Sequence, residues 1–98
     1  MLIQQQQLDN KGKFFVEQEG RELAEMTYTV PGPDKIIIDH TEVSDELKGK
    51  SVGLQLVTQA VEYARTNNIK IIPLCTFAKS VFDKKPEFGD VLFKNQRP

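Results

Sequence analysis

Val43-Ser44-Asp45-Glu46-Leu47-Lys48-Gly49-Lys50-Ser51-Val52-Gly53-Leu54 is the stretch on which the reading of this chain turns. It joins a strand-like run, Lys35–Val43, to a helix-like run, Val52–Asn67, through a short basic turn that carries glycine. Such a turn leaves backbone N–H groups free at a helix N-terminus, where the helix dipole also favours negative charge. Lys48 and Lys50 place two formal positive charges at the same spot. Physically this describes a socket for a phosphate or a pyrophosphate.

Upstream of the turn the pattern is that of strands. Asp9-Asn10-Lys11-Gly12 is a turn signal, residues 13–18 contain Phe14, Phe15 and Val16, and Glu19-Gly20 is a second turn. Residues 21–30 alternate, with Leu23, Glu25, Thr27 and Thr29 against Ala24, Met26, Tyr28 and Val30. Three antiparallel strands follow from this, then a loop at Pro31-Gly32-Pro33-Asp34 and a fourth strand at Lys35–Val43. From Val52 the period changes: Leu56, Val57, Ala60, Val61 and Ala64 make one apolar stripe at helical spacing, and Asn67-Asn68 ends it. A short buried strand at 69–74, a short helix at Thr76–Lys84 capped by Thr76, and a turn at Pro86 and Gly89 before Val91-Leu92-Phe93 complete the chain. The fold class is α+β: an antiparallel meander, a helix crossover to a parallel strand, and short C-terminal helices, all in one domain over 1–98.

Two motifs compete for the turn. Gly49-Lys50-Ser51 looks like the tail of the G-x-x-x-x-G-K-[ST] loop of nucleotide-binding proteins, but its first glycine falls on Ser44 and no nucleotide-sized α/β domain surrounds it. The other is [QR]-x-x-G-x-[GA] over 48–53, with Lys48 for Gln or Arg, Ser51 for the first glycine, and Gly53 matching. Taken with His40-Thr41-Glu42-Val43 before it and Pro73-Leu74-Cys75, Phe77, Pro86, Glu87 and Phe88 after it, the chain resembles the minimal, single-domain, cysteine-containing proteins of the GNAT N-acetyltransferase superfamily. The resemblance is strongest over 36–92. It implies that the fourth and fifth strands splay apart and take the pantetheine arm of acetyl-CoA between them. It further implies that Lys48, Gly49, Lys50, Ser51, Val52 and Gly53 hold the coenzyme A pyrophosphate while the backbone of Val43 pairs with the pantetheine amides. The helices that larger relatives carry between their first and second strands are missing, so the acceptor side is expected to be open.

Charge is unevenly spread. Residues 1–47 carry four Lys/Arg against ten Asp/Glu, net −6, and residues 48–98 carry nine against four, net +5. A basic side for a polyanion and an acidic side for a cationic acceptor follow, which suits coenzyme A and an amine. Nucleic acid fits less well, since the basic residues are not interleaved with aromatics in a recognisable module. No apolar run is long enough to cross a membrane and no secretory signal is evident, so a cytoplasmic monomer or weak dimer is expected. The single cysteine has no partner for a disulfide or a CxxC site, and no metal is expected.

Three residues are candidates for chemistry. Cys75 stands at a strand end just before a helix, where the free N–H groups favour a thiolate; a small buried hydrophobe is the other possibility. The resemblance places the family's candidate active-site cysteine here. His40 can take a proton from an ammonium acceptor, and Glu42, two residues on, shares its strand face, with Ile37, Asp39, Thr41 and Val43 on the other. Larger relatives often protonate the leaving thiolate with a tyrosine on the last helix; this one offers Phe77 and Phe82, and the tyrosines are Tyr28 and Tyr63. Cys75 then serves as acid or as nucleophile. The leading expectation is an acetyl-CoA-dependent acyltransferase acting on an amine, either a small molecule or a protein lysine. Its alternatives are a non-catalytic coenzyme A-binding module and a small interaction domain without a ligand.

Overall fold

The computed structural model describes residues 2–94. Strands β1 (Gln4–Leu8), β2 (Lys11–Gln18), β3 (Arg21–Gly32) and β4 (Lys35–Val43) run antiparallel in chain order. A single 3-10 turn (Asp45–Leu47) leads to helix α1 (Val52–Asn67), which returns the chain to β5 (Lys70–Pro73), parallel to β4 at the sheet edge. Helix α2 (Thr76–Lys84) and a second 3-10 segment (Pro86–Val91) follow. The meander, crossover and parallel strand are those expected from the sequence.

The turns explain the tightness of the meander. Glu19 (φ 52°) and Gly20 (φ 79°) both take positive φ, the hairpin geometry whose twist matches the flanking strands. Asp9 (φ 56°) opens the β1–β2 turn, so no helix intervenes there. Strand β3 runs through Pro31 and Gly32, leaving Pro33-Asp34 as the turn, so the loop expected at 31–34 is shorter. Strand β5 is likewise shorter than the 69–74 expected. Its far edge is covered by Leu92, which bridges Ile71, and by the Phe93 N–H, which donates to the Ile71 carbonyl at 2.8 Å.

The α1 stripe of Leu56, Val57, Ala60, Val61 and Ala64 is fully buried, and Asn68 ends the helix in the left-handed conformation. It packs on one face of the sheet, which contributes Phe14, Val16, Ala24, Met26, Tyr28, Ile36, Ile38 and Ile71. Phe15, Glu25, Thr27, His40 and Glu42 sit on the opposite face, as the cross-strand register requires.

Strict alternation fails once in β4, and the site depends on that failure. Tyr28 pairs with Ile38 and Thr27 with His40, so Asp39 is an extra residue in a β-bulge. Thr41 and Val43 therefore join Ile36 and Ile38 on the helix-covered face, opposite buried Met26 and Ala24, rather than sharing a face with Ile37 as alternation predicts. His40 and Glu42 do share the other face, as expected. The expected cap also moves by one: Cys75, with extended φ and ψ of −65° and 129°, is the N-cap of α2, and Thr76 is its first helical residue.

Candidate functional site

Parallel pairing between β4 and β5 ends at Ile38 and Pro73. The Ile38 carbonyl accepts from both Leu74 and Cys75 N–H at 3.1 Å, and there the chain leaves the sheet for α2. Strand β4 continues for five more residues with β3 alone. Ser44 N–H donates to the Leu23 carbonyl and the Thr27 hydroxyl to the His40 carbonyl, so these positions face β3. By the alternation of an antiparallel ladder, the N–H and C=O of Thr41 and Val43 point the other way, into the opening where β5 has departed. The opening is a wedge edged by unpaired strand backbone.

The wedge continues over the turn into a groove of about 470 Å³, with Thr41 and Val43 on one wall, Phe77 on another and residues 47–49 and 51–54 as its floor. The first main-chain bond of α1 runs from Gln55 N–H to the Ser51 carbonyl, so the N–H groups of Val52, Gly53 and Leu54 have no helical acceptor. Ser51, the N-cap, makes no side-chain capping bond, and no carboxylate stands in the first turn. Three N–H donors and a helix dipole thus meet at the floor with nothing of the protein's own to satisfy them. Gly49 takes φ 81°, which aligns the turn at no steric cost. Ser51 takes φ 57° and ψ 34°, a left-handed conformation that costs a non-glycine residue about 1–2 kcal/mol.

Of the turn residues named from the sequence, all but Lys50 line this groove, as does Val43. Lys48 is paired with Asp45 at 3.2 Å, but both side chains are largely exposed, so the pair is weak and Lys48 is available to a polyanion. Gly53 has a neighbour the sequence did not suggest. A Cβ there would lie 2.6 Å from Cζ of Phe77, so this glycine makes room for the ring that walls the groove.

Cys75 is half-buried, and its thiol donates to Thr41 Oγ1 at 3.5 Å. Burial pushes its pKa up, but the Thr41 hydroxyl and the N–H groups of Ala78, Phe77 and Thr41 outweigh that and bring it below the ordinary thiol value. The sulfur makes no formed capping bond at α2, yet it faces that helix's free N–H groups. Cys75 is not itself among the groove's walls; it meets the groove through Thr41 and Phe77.

His40 lies on the other face of β4, with Nε2 3.5 Å from Oε2 of Glu42 and both side chains exposed. Glu42, Glu22 and Glu25 line an open pocket of about 480 Å³, and Val43 borders both this pocket and the groove. Lys13 holds Glu22 at 2.6 Å and lowers its pKa, with Glu25 adding to the effect. Glu25 is raised, first by its hydrogen bond with Glu22, then by burial and by the charges of Glu22 and Glu42. The tyrosines are elsewhere: buried Tyr28 donates to Gln7 at 2.9 Å and accepts from Gln5 at 2.8 Å, and Tyr63 packs on Phe14 and Tyr28. Phe82 packs against Phe88. Sequence reasoning gave Thr41 and Leu54 no role in the site, and Phe77 entered it as part of the resemblance and as a missing tyrosine, not as a wall of the groove. Among the described residues no cluster suited to a metal ion is present, and no helix is long and apolar enough to cross a membrane.

A profile of the GCN5-related N-acetyl-transferase family matches residues 13–91. The chain is 42% identical to a GCN5-like protein from Staphylococcus aureus known from its solution structure, covering 96% of this chain and 91% of that one at a TM-score of 0.71. A ribosomal-protein-alanine N-acetyltransferase from Brucella melitensis shares the fold at a TM-score of 0.62 and 11% identity, over 91% of this chain and 67% of that one. A Clostridium acetobutylicum chain solved with acetyl-CoA does so at 0.61 and 15%, over 88% and 59%. No curated protein sequence matches.

Proposed function

The chain belongs to the GCN5-related N-acetyltransferase family, and from that premise we propose that it transfers the acetyl group of acetyl-CoA to an amine. The observation that carries this reading is the β4–β5 wedge opening onto a helix N-terminus with unsatisfied N–H groups. One extended, amide-bearing thioester with a pyrophosphate matches both ends. The pantetheine amides pair with the free N–H and C=O of Val43 and the C=O of Thr41 as an added strand would, and the pyrophosphate sits on the N–H groups of Val52, Gly53 and Leu54 near Lys48 and Lys50. The fold-mate that holds acetyl-CoA supports the same ligand.

Cys75 is the nucleophile in this reading. Its thiolate attacks the acetyl carbonyl, the bond to the coenzyme A sulfur breaks, and coenzyme A leaves as a thiolate that takes a proton from solvent. An amine approaching from the other face of β4 must first lose its ammonium proton, which His40 accepts while Glu42 steadies the ring. The amine then attacks the acetyl-cysteine, the bond to Sγ breaks, and the nitrogen's second proton passes to the departing Cys75 sulfur or to solvent, giving the amide and the free cysteine. The Glu22–Glu25–Glu42 pocket suits an acceptor that arrives as a cation, whether a small amine or a protein lysine.

Acetyl-CoA and a panel of amines, polyamines and lysine peptides, followed by free-thiol release, test the reaction. Acetyl-CoA alone should add one acetyl mass to the parent and none to Cys75→Ala. Turnover without an adduct, lost about 100-fold in Cys75→Ser, would make Cys75 the general acid instead. Coenzyme A binding with no turnover for any amine would leave a non-catalytic binding module, which Phe77 in place of a tyrosine would then explain.

A further inference from the structure

We propose that Thr41 is the positioning residue for Cys75, its hydroxyl holding the sulfur by a hydrogen bond across the opening between β4 and β5. The proposal rests on the reading of Cys75 as the acyl-transfer thiol and adds a residue to it.

Geometry carries the inference. Thr41 Oγ1 and Cys75 Sγ are 3.5 Å apart although they belong to different strands' ends; main-chain bonding between the two stops where the Cys75 N–H donates to the Ile38 carbonyl, three residues before Thr41. This contact is therefore the side-chain link across the wedge at the sulfur. The extra residue Asp39 puts Thr41 on the helix-covered face; a regular strand would turn its side chain away from Cys75. Thr41 also walls the groove, and its N–H faces the same sulfur. A branched Cβ suits this role because χ1 is stiff, so the hydroxyl stays where the backbone puts it.

The same hydroxyl can serve both protonation states. It accepts from the thiol and, by rotating, donates to the thiolate. The groups facing the sulfur are Thr41 from β4 and the N–H groups of Phe77 and Ala78 from α2, none of them charged. Lys79 on the same helix is turned to Asp83 at 3.5 Å. Removing the hydroxyl therefore takes away a donor to the anion that no nearby cation replaces.

Alkylation of Cys75 by iodoacetamide, followed against pH on the full chain without coenzyme A, tests this. The midpoint of the rate profile reads the thiolate and its plateau reads access. Thr41→Val, near-isosteric, should move the midpoint to higher pH and slow alkylation at neutral pH about tenfold, in keeping with loss of a hydrogen bond to a charged group. Thr41→Ser should stay within about threefold of the parent. Should Thr41→Val not fold, Thr41→Ala is read in the same way, with its melting curve as the check. An unchanged midpoint in a folded Thr41→Val or Thr41→Ala overturns the proposal, and so does Thr41→Ser behaving like Thr41→Val, which would make the role one of packing. These readings stand apart from acetyl transfer. A parent that never forms the acetyl adduct fails the proposed chemistry of Cys75, whereas an adduct formed with an unmoved alkylation midpoint fails only the role of Thr41.

Discussion

Ser51 and Gly53 show how much a residue's neighbourhood decides. The motif pattern has glycine where Ser51 stands, and Ser51 sits in the left-handed region that glycine enters freely. Ser51→Gly should therefore raise stability by about 0.5–1 kcal/mol, the relieved strain being partly offset by glycine's greater chain entropy in the unfolded state. A urea melt measures it; a loss of stability would mean that the serine side chain does something the turn geometry does not reveal. Gly53 was legible as the matching glycine of the motif, but the ring packed against it was not, because Phe77 is far away in sequence and reaches it only through the fold. Gly53→Val should push the exposed ring aside and weaken coenzyme A binding by about tenfold or more while the domain stays folded. The double variant Gly53→Val/Phe77→Ala should recover part of that loss. Additive losses in the cycle would show that the ring is not what the added side chain strikes.

At the scale of elements, the strands, the crossover and the end of α1 at Asn68 were readable because each has a periodic or turn signature. The bulge at Asp39 has none: alternation assumes one residue per pleat, and an extra residue changes the faces without changing composition. That is why Thr41 was assigned to the wrong companions and Cys75 was read without its partner. Bulges bend strands, and this one lies just past the last β4–β5 pair. Deleting Asp39 keeps His40 opposite Thr27 but straightens β4 towards β5. Cross-strand NOEs between Thr27 and His40 should survive the deletion while coenzyme A affinity falls at least tenfold. Full affinity in the deletion variant would show that the bend has no part in holding the wedge open.

Over the whole molecule, the uneven charge of the two sequence segments takes spatial form as a lysine-bearing turn and a carboxylate-lined pocket on either side of Val43. That arrangement was legible in outline only, since pairs such as Lys13–Glu22 and Lys48–Asp45 neutralise part of each side. A ligand that binds only the folded chain raises its stability by mass action, about 2.7 kcal/mol at a hundredfold excess over Kd. For a domain of this size the melting temperature should rise by about 10–20 °C with acetyl-CoA at that excess. No rise would leave a domain without this ligand. Amide chemical shifts followed during a coenzyme A titration test the central claim, that the divergence of β4 and β5 above the free N–H turn is the acetyl-CoA site. Shifts should concentrate at Thr41, Val43 and 48–54, with Cys75 and Phe77 beside them. A cluster at the 9–20 hairpin, with the turn unmoved, would contradict it.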